Sequence, residues 1–375
     1  MTATVAKAFD RAAVRWPGRT FLNVLDETAQ AYGISPGPVA YGEMAKTVSR
    51  LRRAYLDADI GSGDRVALLL ENRPAILAHF FALNGLGASI VPLNPDLRRT
   101  ELEHIFGHAE PVLAVSTKGR VADLRDASGA VGVCSVVEED DEFPRCGTGA
   151  DAATGQEDEA ALLYTSGTTA KAKGCVLSNG YFIEAGRWYA AAGGLCALDD
   201  GERMLTPLPL FHMNALAFSV MATVEVGGTL TVLDRFHPRT WWQSVRESGA
   251  TAIHYLGVMP AILMKAPPSA GDREHQIRFG FGANVEPNLH APFEARFGFP
   301  LVEAWAMTET GAGACIAANR PPRRVGAKSI GRPGEEIDVR IAGDDGAPAG
   351  DGPGELLVRR RGADPRFGFF SRYHK

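Results

Sequence analysis

Short runs of aliphatic and β-branched residues alternate along this chain with stretches whose apolar positions recur every three or four residues. Val66-Ala-Leu-Leu-Leu70 is a continuous apolar run of strand length, Pro74 to Leu86 has the length of a buried helix, and Ser89-Ile-Val-Pro-Leu93 is a second strand-like run. Upstream, Met44, Val48, Leu51 and Tyr55 fall on one helical face. Thr100-Glu-Leu-Glu103 has the form of a capping box, and Leu102, Ile105, Phe106 and Ala109 continue an apolar stripe behind it. Val112-Leu-Ala-Val115 then reads as another strand. A strand covered on both faces needs no polar alternation, so the pattern predicts βαβ units around a largely parallel sheet.

Residues 138–159 break the pattern: they are acidic, glycine-rich and without period, and read as a linker. A second series follows, with strands expected at Ala161–Thr165, Met204–Pro207, Thr229–Leu233, Thr251–Tyr255, Ile277–Phe281 and Leu301–Trp305. After Gly326, Ile337-Asp-Val-Arg-Ile341 and Glu355-Leu-Leu-Val-Arg359 flank a turn-rich stretch and predict an antiparallel hairpin. The expected fold is therefore α/β. Two stacked lobes with largely parallel sheets, residues 1–150 and 151–328, precede a smaller antiparallel β region at 329–375. The last residues, Ser371 to Lys375, carry no sign of a terminating element.

Composition narrows the function classes. With 39 Lys and Arg against 44 Asp and Glu, the net charge is −5, which provides no global field for a nucleic-acid partner. Five cysteines are irregularly spaced without a Cys-x-x-Cys pair, which argues against zinc and thioredoxin-like chemistry. Their odd number, and an N-terminus without the apolar core of a signal peptide, fit a cytoplasmic protein. The most apolar stretch, Ala75 to Val91, is interrupted by His79, Asn84, Gly85 and Gly87, so no membrane span is expected.

The strongest chemical signal is Leu163-Tyr-Thr-Ser-Gly-Thr-Thr-Ala-Lys-Ala-Lys-Gly174. A buried strand runs into small residues and hydroxyls, whose backbone and side-chain donors can converge on an anion, and a lysine adds a point charge. It is not a Walker loop, because Ala172 precedes Lys173 and Gly174 follows it. The stretch beginning Gly280-x-Gly282 lacks the third glycine of a dinucleotide fingerprint, having Val285 there. Gly33-Ile-Ser-Pro-Gly37 matches a hydrolase pattern by letter only, in a proline-rich loop.

The loop resembles the phosphate-binding loop of the AMP-forming adenylating enzymes, a superfamily of acyl-CoA synthetases, peptide-synthetase adenylation domains and luciferases. Further motifs follow in the superfamily's order. Pro209-Leu-Phe-His-Met213 is similar to the segment beside the acyl carboxylate, Gly280-Phe-Gly-Ala-Asn284 to the glycine-rich stretch against adenine, and Trp305-Ala-Met-Thr-Glu309 to a Tyr-Gly-x-Thr-Glu motif. Gly331-Arg-Pro-Gly334 and Gly354-Glu-Leu-Leu-Val358 resemble the stretch leading to a ribose-binding aspartate. The resemblance implies that Thr165, Ser166, Gly167, Thr168, Thr169 and Lys173 cradle phosphate with help from Thr308. It implies that Glu309 holds Mg²⁺, that Gly282, Ala283 and Trp305 border adenine, and that His212 borders the carboxylate. A hard cation prefers carboxylate oxygen, and two approaching anions need fixed positive charge, so these residue types suit the chemistry.

The implied reaction uses ATP and Mg²⁺ to convert a small carboxylic acid into an acyl-adenylate, then passes the acyl group to coenzyme A. Lys173, His212, Thr308 and Glu309 would be the catalytic set, and the question of a homodimer stays open. A carrier-protein-loading adenylation domain and a non-catalytic nucleotide- or acyl-binding module are the alternatives. The stretch His212-Met-Asn-Ala-Leu-Ala-Phe218 contains no acid to hold an amino group, which disfavours α-amino acids. Aliphatic, aryl and polar carnitine-like acids all remain open. Ala170 and Ala172 stand where the superfamily has glycine and proline, and Trp305 and Ala306 where it has tyrosine and glycine. The superfamily continues into a further domain that supplies a lysine bridging carboxylate and α-phosphate. The expectation is a chain cut short of that domain at Lys375, and therefore poorly active or inactive alone.

Overall fold

A computed structural model describes residues 4–165, 172–343, 345–349 and 352–375. Its centre is a layer of helices between two sheets. The eight-stranded sheet runs, edge to edge, Ile316–Ala317, Leu301–Trp305, Phe279–Ala283, Ala252–Leu256, Arg203–Thr206, Thr229–Val232, Thr20–Val24 and Gly37–Ala40. The seven-stranded sheet runs Arg372–Tyr373, Lys173–Ser178, Glu159–Thr165, Ser89–Pro92, Arg65–Leu69, Leu113–Ser116 and Ser135–Glu138. Interior pairings are mostly parallel, as between Arg65–Leu69 and Ser89–Pro92, with antiparallel strands toward the edges. Ile337–Ala342 and Glu355–Arg360 form the separate antiparallel hairpin, Ile337 opposite Arg360.

The helix Pro74–Asn84 shows why no amphipathic stripe was visible there: it is buried from Ile76 to Asn84, because both sheets cover it. Its Phe81 ring stacks on Phe9 at 4.2 Å. Its Asn84 amide accepts from Ala6 N–H and donates to Asn179 Oδ1, which also accepts from Val5 N–H. These bonds tie the helices Val5–Arg15, Pro74–Asn84 and Asn179–Ala191 into one layer. A single apolar core takes Leu22 and Leu230 from one sheet, Val66 and Ile90 from the other, and Phe80, Phe182 and Leu216 from between them.

Long-range pairing redistributes the chain between the sheets. Thr20–Val24 and Gly37–Ala40 join the sheet made mainly of later strands, while Glu159–Thr165 and Lys173–Ser178 join the earlier one. The division between sheets therefore does not fall at residue 150. The acidic stretch after Glu138 has no helix or strand up to residue 158, yet it is tied down: Cys146 and Gly149 N–H donate to Ala58 and Asp59, and Ser62 N–H to Ala150. At the expected capping box, the helix is Arg99–Ala109 and Glu101 Oε2 accepts from Arg98 N–H at 2.9 Å. Thr100 lies inside the first turn, and Glu103 pairs with Arg99 instead. Arg372–Tyr373, where no element was expected, is a strand paired with Val176 and Cys175.

Candidate active site

Parallel strands place their C-terminal ends and following loops at one side of a sheet, where ligand sites of open α/β folds collect. Here a cavity of about 590 Å³ opens beside the ends of Glu159–Thr165, Ala252–Leu256, Phe279–Ala283 and Leu301–Trp305. Seven residues singled out in the sequence line it: Thr165, Lys173, His212, Gly282, Ala283, Thr308 and Glu309. They come from four separated segments, so folding has brought the motifs together. Ser166, Gly167, Thr168 and Thr169 lie outside the described residues.

Trp305 is not among the lining residues. The strand Leu301–Trp305 alternates, and its neighbours Ala304 and Ala306 form the cavity wall while Trp305 sits half-buried, its backbone opposite Ile316. Gly282 lines the cavity, and its lack of a side chain has a further cause: a Cβ there would stand 2.2 Å from the Tyr255 carbonyl oxygen. The next turn is held from behind. The buried Glu303 carboxylate accepts from the Asn284 and Val285 N–H groups, both at 2.7 Å, and Asn284 has φ +69°.

Thr165 and Lys173 face each other across the antiparallel pair that flanks the glycine- and hydroxyl-rich loop. Lys173 reaches outward, with its Nζ 5.3 Å from the Tyr373 ring centre. The Tyr373 hydroxyl donates to Glu309 Oε1 at 2.8 Å. That bond to a carboxylate, with partial burial, pushes the phenol up to about 12. The Glu309 carbonyl also accepts from Phe370 N–H. Tyr373 thus links Lys173 and Glu309, which the sequence pattern did not reveal: its place follows from strand pairing across some 200 residues, with Ser371 and His374 N–H donating to Val176 and Gly174.

His212 faces the open cavity, yet enough protein surrounds its ring that burial lowers its pKa. It is neutral at physiological pH and can meet a carboxylate as a hydrogen-bond donor. Around it the wall is apolar: Met213, Phe218, Leu256, Phe281, Ala304 and Ala306. The cavity lining therefore combines hydroxyls, a lysine and a carboxylate with a set of apolar side chains.

Among the described residues no three His, Cys, Asp or Glu side chains cluster to hold a metal ion. A lone carboxylate beside a place for phosphates still fits Mg²⁺, which is bound through one or two carboxylates plus phosphate oxygens and water. No helix of the described residues is long and apolar enough to cross a membrane.

A layered α/β fold whose cavity combines hydroxyls, a lysine and a carboxylate with apolar side chains suits a phosphate-bearing ligand beside an organic one. The AMP-binding enzyme family model matches residues 9–364, and the chain belongs to that family. It is 30% identical over 373 residues to a crotonobetaine/carnitine–CoA ligase of Escherichia coli O157:H7, covering 91% of this chain and 71% of the relative. The inhibitor-bound N-terminal domain of FACL13 from Mycobacterium tuberculosis superposes with a TM-score of 0.84 at 23% identity, over 99% of this chain and 91% of that one. The o-succinylbenzoate CoA synthetase of Bacillus subtilis, in complex with its acyl-adenylate intermediate, gives a TM-score of 0.80 at 21% identity, over 98% and 70%. The resemblance read from the motifs, and the α/β fold it implied, both stand.

Proposed function

We propose that this chain carries the adenylate-forming site of an AMP-forming acyl-CoA ligase. The convergence of the four motif segments on one cavity supports the reading most directly. A carboxylate oxygen of the acid attacks the α-phosphorus of ATP, the bond to the bridging oxygen breaks, and pyrophosphate leaves with that electron pair. The thiolate of coenzyme A then attacks the acyl carbon, and AMP leaves.

In this scheme the acid's chain lies against Phe218, Leu256, Phe281 and the alanines, and neutral His212 donates to its carboxylate. Thr165 and Lys173, with Ser166, Gly167, Thr168 and Thr169 of the loop, hold the phosphates, and Thr308 donates to the α-phosphate. Gly282 and Ala283 border the adenine. Trp305, the third residue that the resemblance assigns to the adenine border, is next to Ala304 and Ala306 in the chain but is not a lining residue. Glu309 would hold Mg²⁺, which when bound neutralises phosphate charge. Tyr373 keeps the Glu309 carboxylate oriented, leaving Oε2 without a partner among the described residues.

Among the described residues, Lys173 is the one permanently cationic side chain that lines the cavity. Lys173, placed beside the phosphates, cannot easily also bridge the attacking carboxylate and the α-phosphate, and an oriented donor of that kind is worth about 10²–10³ in rate. We therefore expect this 375-residue chain to form adenylate slowly and thioester more slowly still. Crotonobetaine and carnitine, named for the E. coli relative, are cationic acids. Apart from Glu309, no carboxylate among the described lining residues meets such a group or an α-amino group, so neither substrate is carried over. The test is acid-dependent exchange of labelled pyrophosphate into ATP: Glu309→Gln should reduce it at least tenfold while thermal melting shows the variant folded at the assay temperature, and exchange at the wild-type rate would remove Glu309 from the site.

A further inference from the structure

The cavity lining contains one polar side chain that the adenylation scheme does not use. Asn214 lines the cavity two residues after His212, and it opens a π-helical turn, Asn214–Ser219, a distortion that recurs at functional sites. Behind it lies a buried network. His254 is fully buried, with Nδ1 2.8 Å from Asn214 Oδ1 and 2.9 Å from Ser219 Oγ, and Nε2 2.9 Å from the Tyr189 hydroxyl.

The network fixes which way the Asn214 amide points. Tyr189 has a proton to donate and, among the described residues, His254 Nε2 is its one acceptor. A buried hydroxyl proton left unspent is costly, so Nε2 accepts and the imidazole proton sits on Nδ1. Nδ1–H then donates to the Asn214 oxygen, while the Ser219 hydroxyl donates to the Asn214 carbonyl at 3.3 Å. Burial holds the His254 pKa down at about 3, so the ring stays neutral and this tautomer persists at physiological pH. The Asn214 oxygen is spent on the protein. Its NH₂ group bonds no described residue and is left to the cavity.

We propose that Asn214 selects carboxylic acids whose chain is uncharged and carries a hydrogen-bond-accepting oxygen, a hydroxyl or oxo group, as the acyl substrate class. This rests on the acyl-adenylation reading above. An acyl chain seated against Met213, Phe218, Leu256 and Phe281 displaces the water that would otherwise reach Asn214, so an aliphatic chain without that oxygen would leave the amide donors unsatisfied. The wall also carries no charge to meet a charged substituent.

The experiment compares hexanoate with hexanoates bearing a hydroxyl or oxo group at each chain carbon in turn, by kcat/KM in pyrophosphate exchange and by binding calorimetry. At least one substituted acid should exceed hexanoate by about 3- to 10-fold, as one neutral hydrogen bond allows. Asn214→Asp keeps the shape and the acceptor for His254 Nδ1–H but has no N–H to donate, so the ratio should fall to one or below. Asn214→Leu should collapse it likewise, with thermal melting reporting whether each variant is folded. If no substituted acid outperforms hexanoate, or if the preference survives both substitutions, the proposal is wrong. The two readings separate cleanly. An Asn214-dependent preference in binding without exchange for any acid would retain the selectivity and sink the ligase reading, whereas exchange without such a preference would do the reverse.

Discussion

At the position of Glu309, chemistry that was legible in the sequence meets a partner that was not. Thr-Glu in its motif, and the hydroxyl-rich run ending at Lys173, could be read because residue type and spacing carry the chemistry. Tyr373 could not, because nothing local to Arg372-Tyr373-His374 says which strand it joins. The phenol and carboxylate make a direct prediction. The Glu309 carboxylate raises Tyr373 to about 12, so Glu309→Gln should let the phenol titrate closer to its ordinary value of 10, visible as phenolate absorbance appearing at lower pH. A raised acid of this kind contributes its stability below about pH 10 and loses it as pH climbs through about 12. An unmoved titration in the variant would mean that the bond does not form. Gly282 teaches a related lesson: the family resemblance assigns it to the adenine wall, whereas the close approach of Tyr255 is what forbids a side chain. Gly282→Ala should therefore destabilise the fold by about 1–3 kcal/mol, measured by denaturant unfolding.

At the scale of elements, periodicity located most strands to within a residue or two, because runs such as Val66–Leu70 are buried on both faces and leave few alternatives. It misplaced the start of the helix Arg99–Ala109, where Thr100 was the favoured cap by type but the box closes two residues earlier, from Glu101 to Arg98. It was also silent on what locks elements together. The helix Pro287–Phe297 is clamped to the strand Leu301–Trp305 by Glu294, which accepts from Leu301 N–H and pairs with His290 and Arg323. Burial would raise this carboxylate, but the bonds from His290, Arg323 and Leu301 outweigh it and bring the pKa down to about 2. A depressed carboxylate stabilises the folded state above its unfolded value near 4.5, and that contribution, about 3 kcal/mol, is lost as pH falls toward 2. Glu294→Gln should lower the melting temperature at neutral pH, and the gap from wild type should close as the solution is acidified. A gap independent of pH would show that packing, not charge, is lost.

Over the whole molecule, two buried histidines tie folding to pH. His79, bonded to the Tyr55 hydroxyl, and His254 are both held near 3 by burial, and a nearby arginine lowers His79 further. The unfolded chain protonates both near 6.5, so stability should fall by about 2.7 kcal/mol per pH unit below that value, more steeply than one group allows. Equilibrium unfolding at a series of pH values checks this, and His79→Gln should reduce the slope by about 1.4 kcal/mol per pH unit. The layered architecture itself was foreseeable as α/β, but the exchange of strands between sheets was not, since periodicity says what a segment is and nothing about its neighbours. That exchange carries Thr165 and Lys173 to the same cavity as Gly282 and Glu309, and the functional reading depends on it. The most direct measurement of that reading is the nucleotide product formed by this chain from ATP and Mg²⁺ in the presence of a carboxylic acid. Acid-dependent acyl-adenylate and pyrophosphate, with AMP appearing when water or a thiol cleaves the adenylate, all lost in Glu309→Gln, are the predicted result; ADP and phosphate, or AMP whose formation ignores the acid, would contradict it.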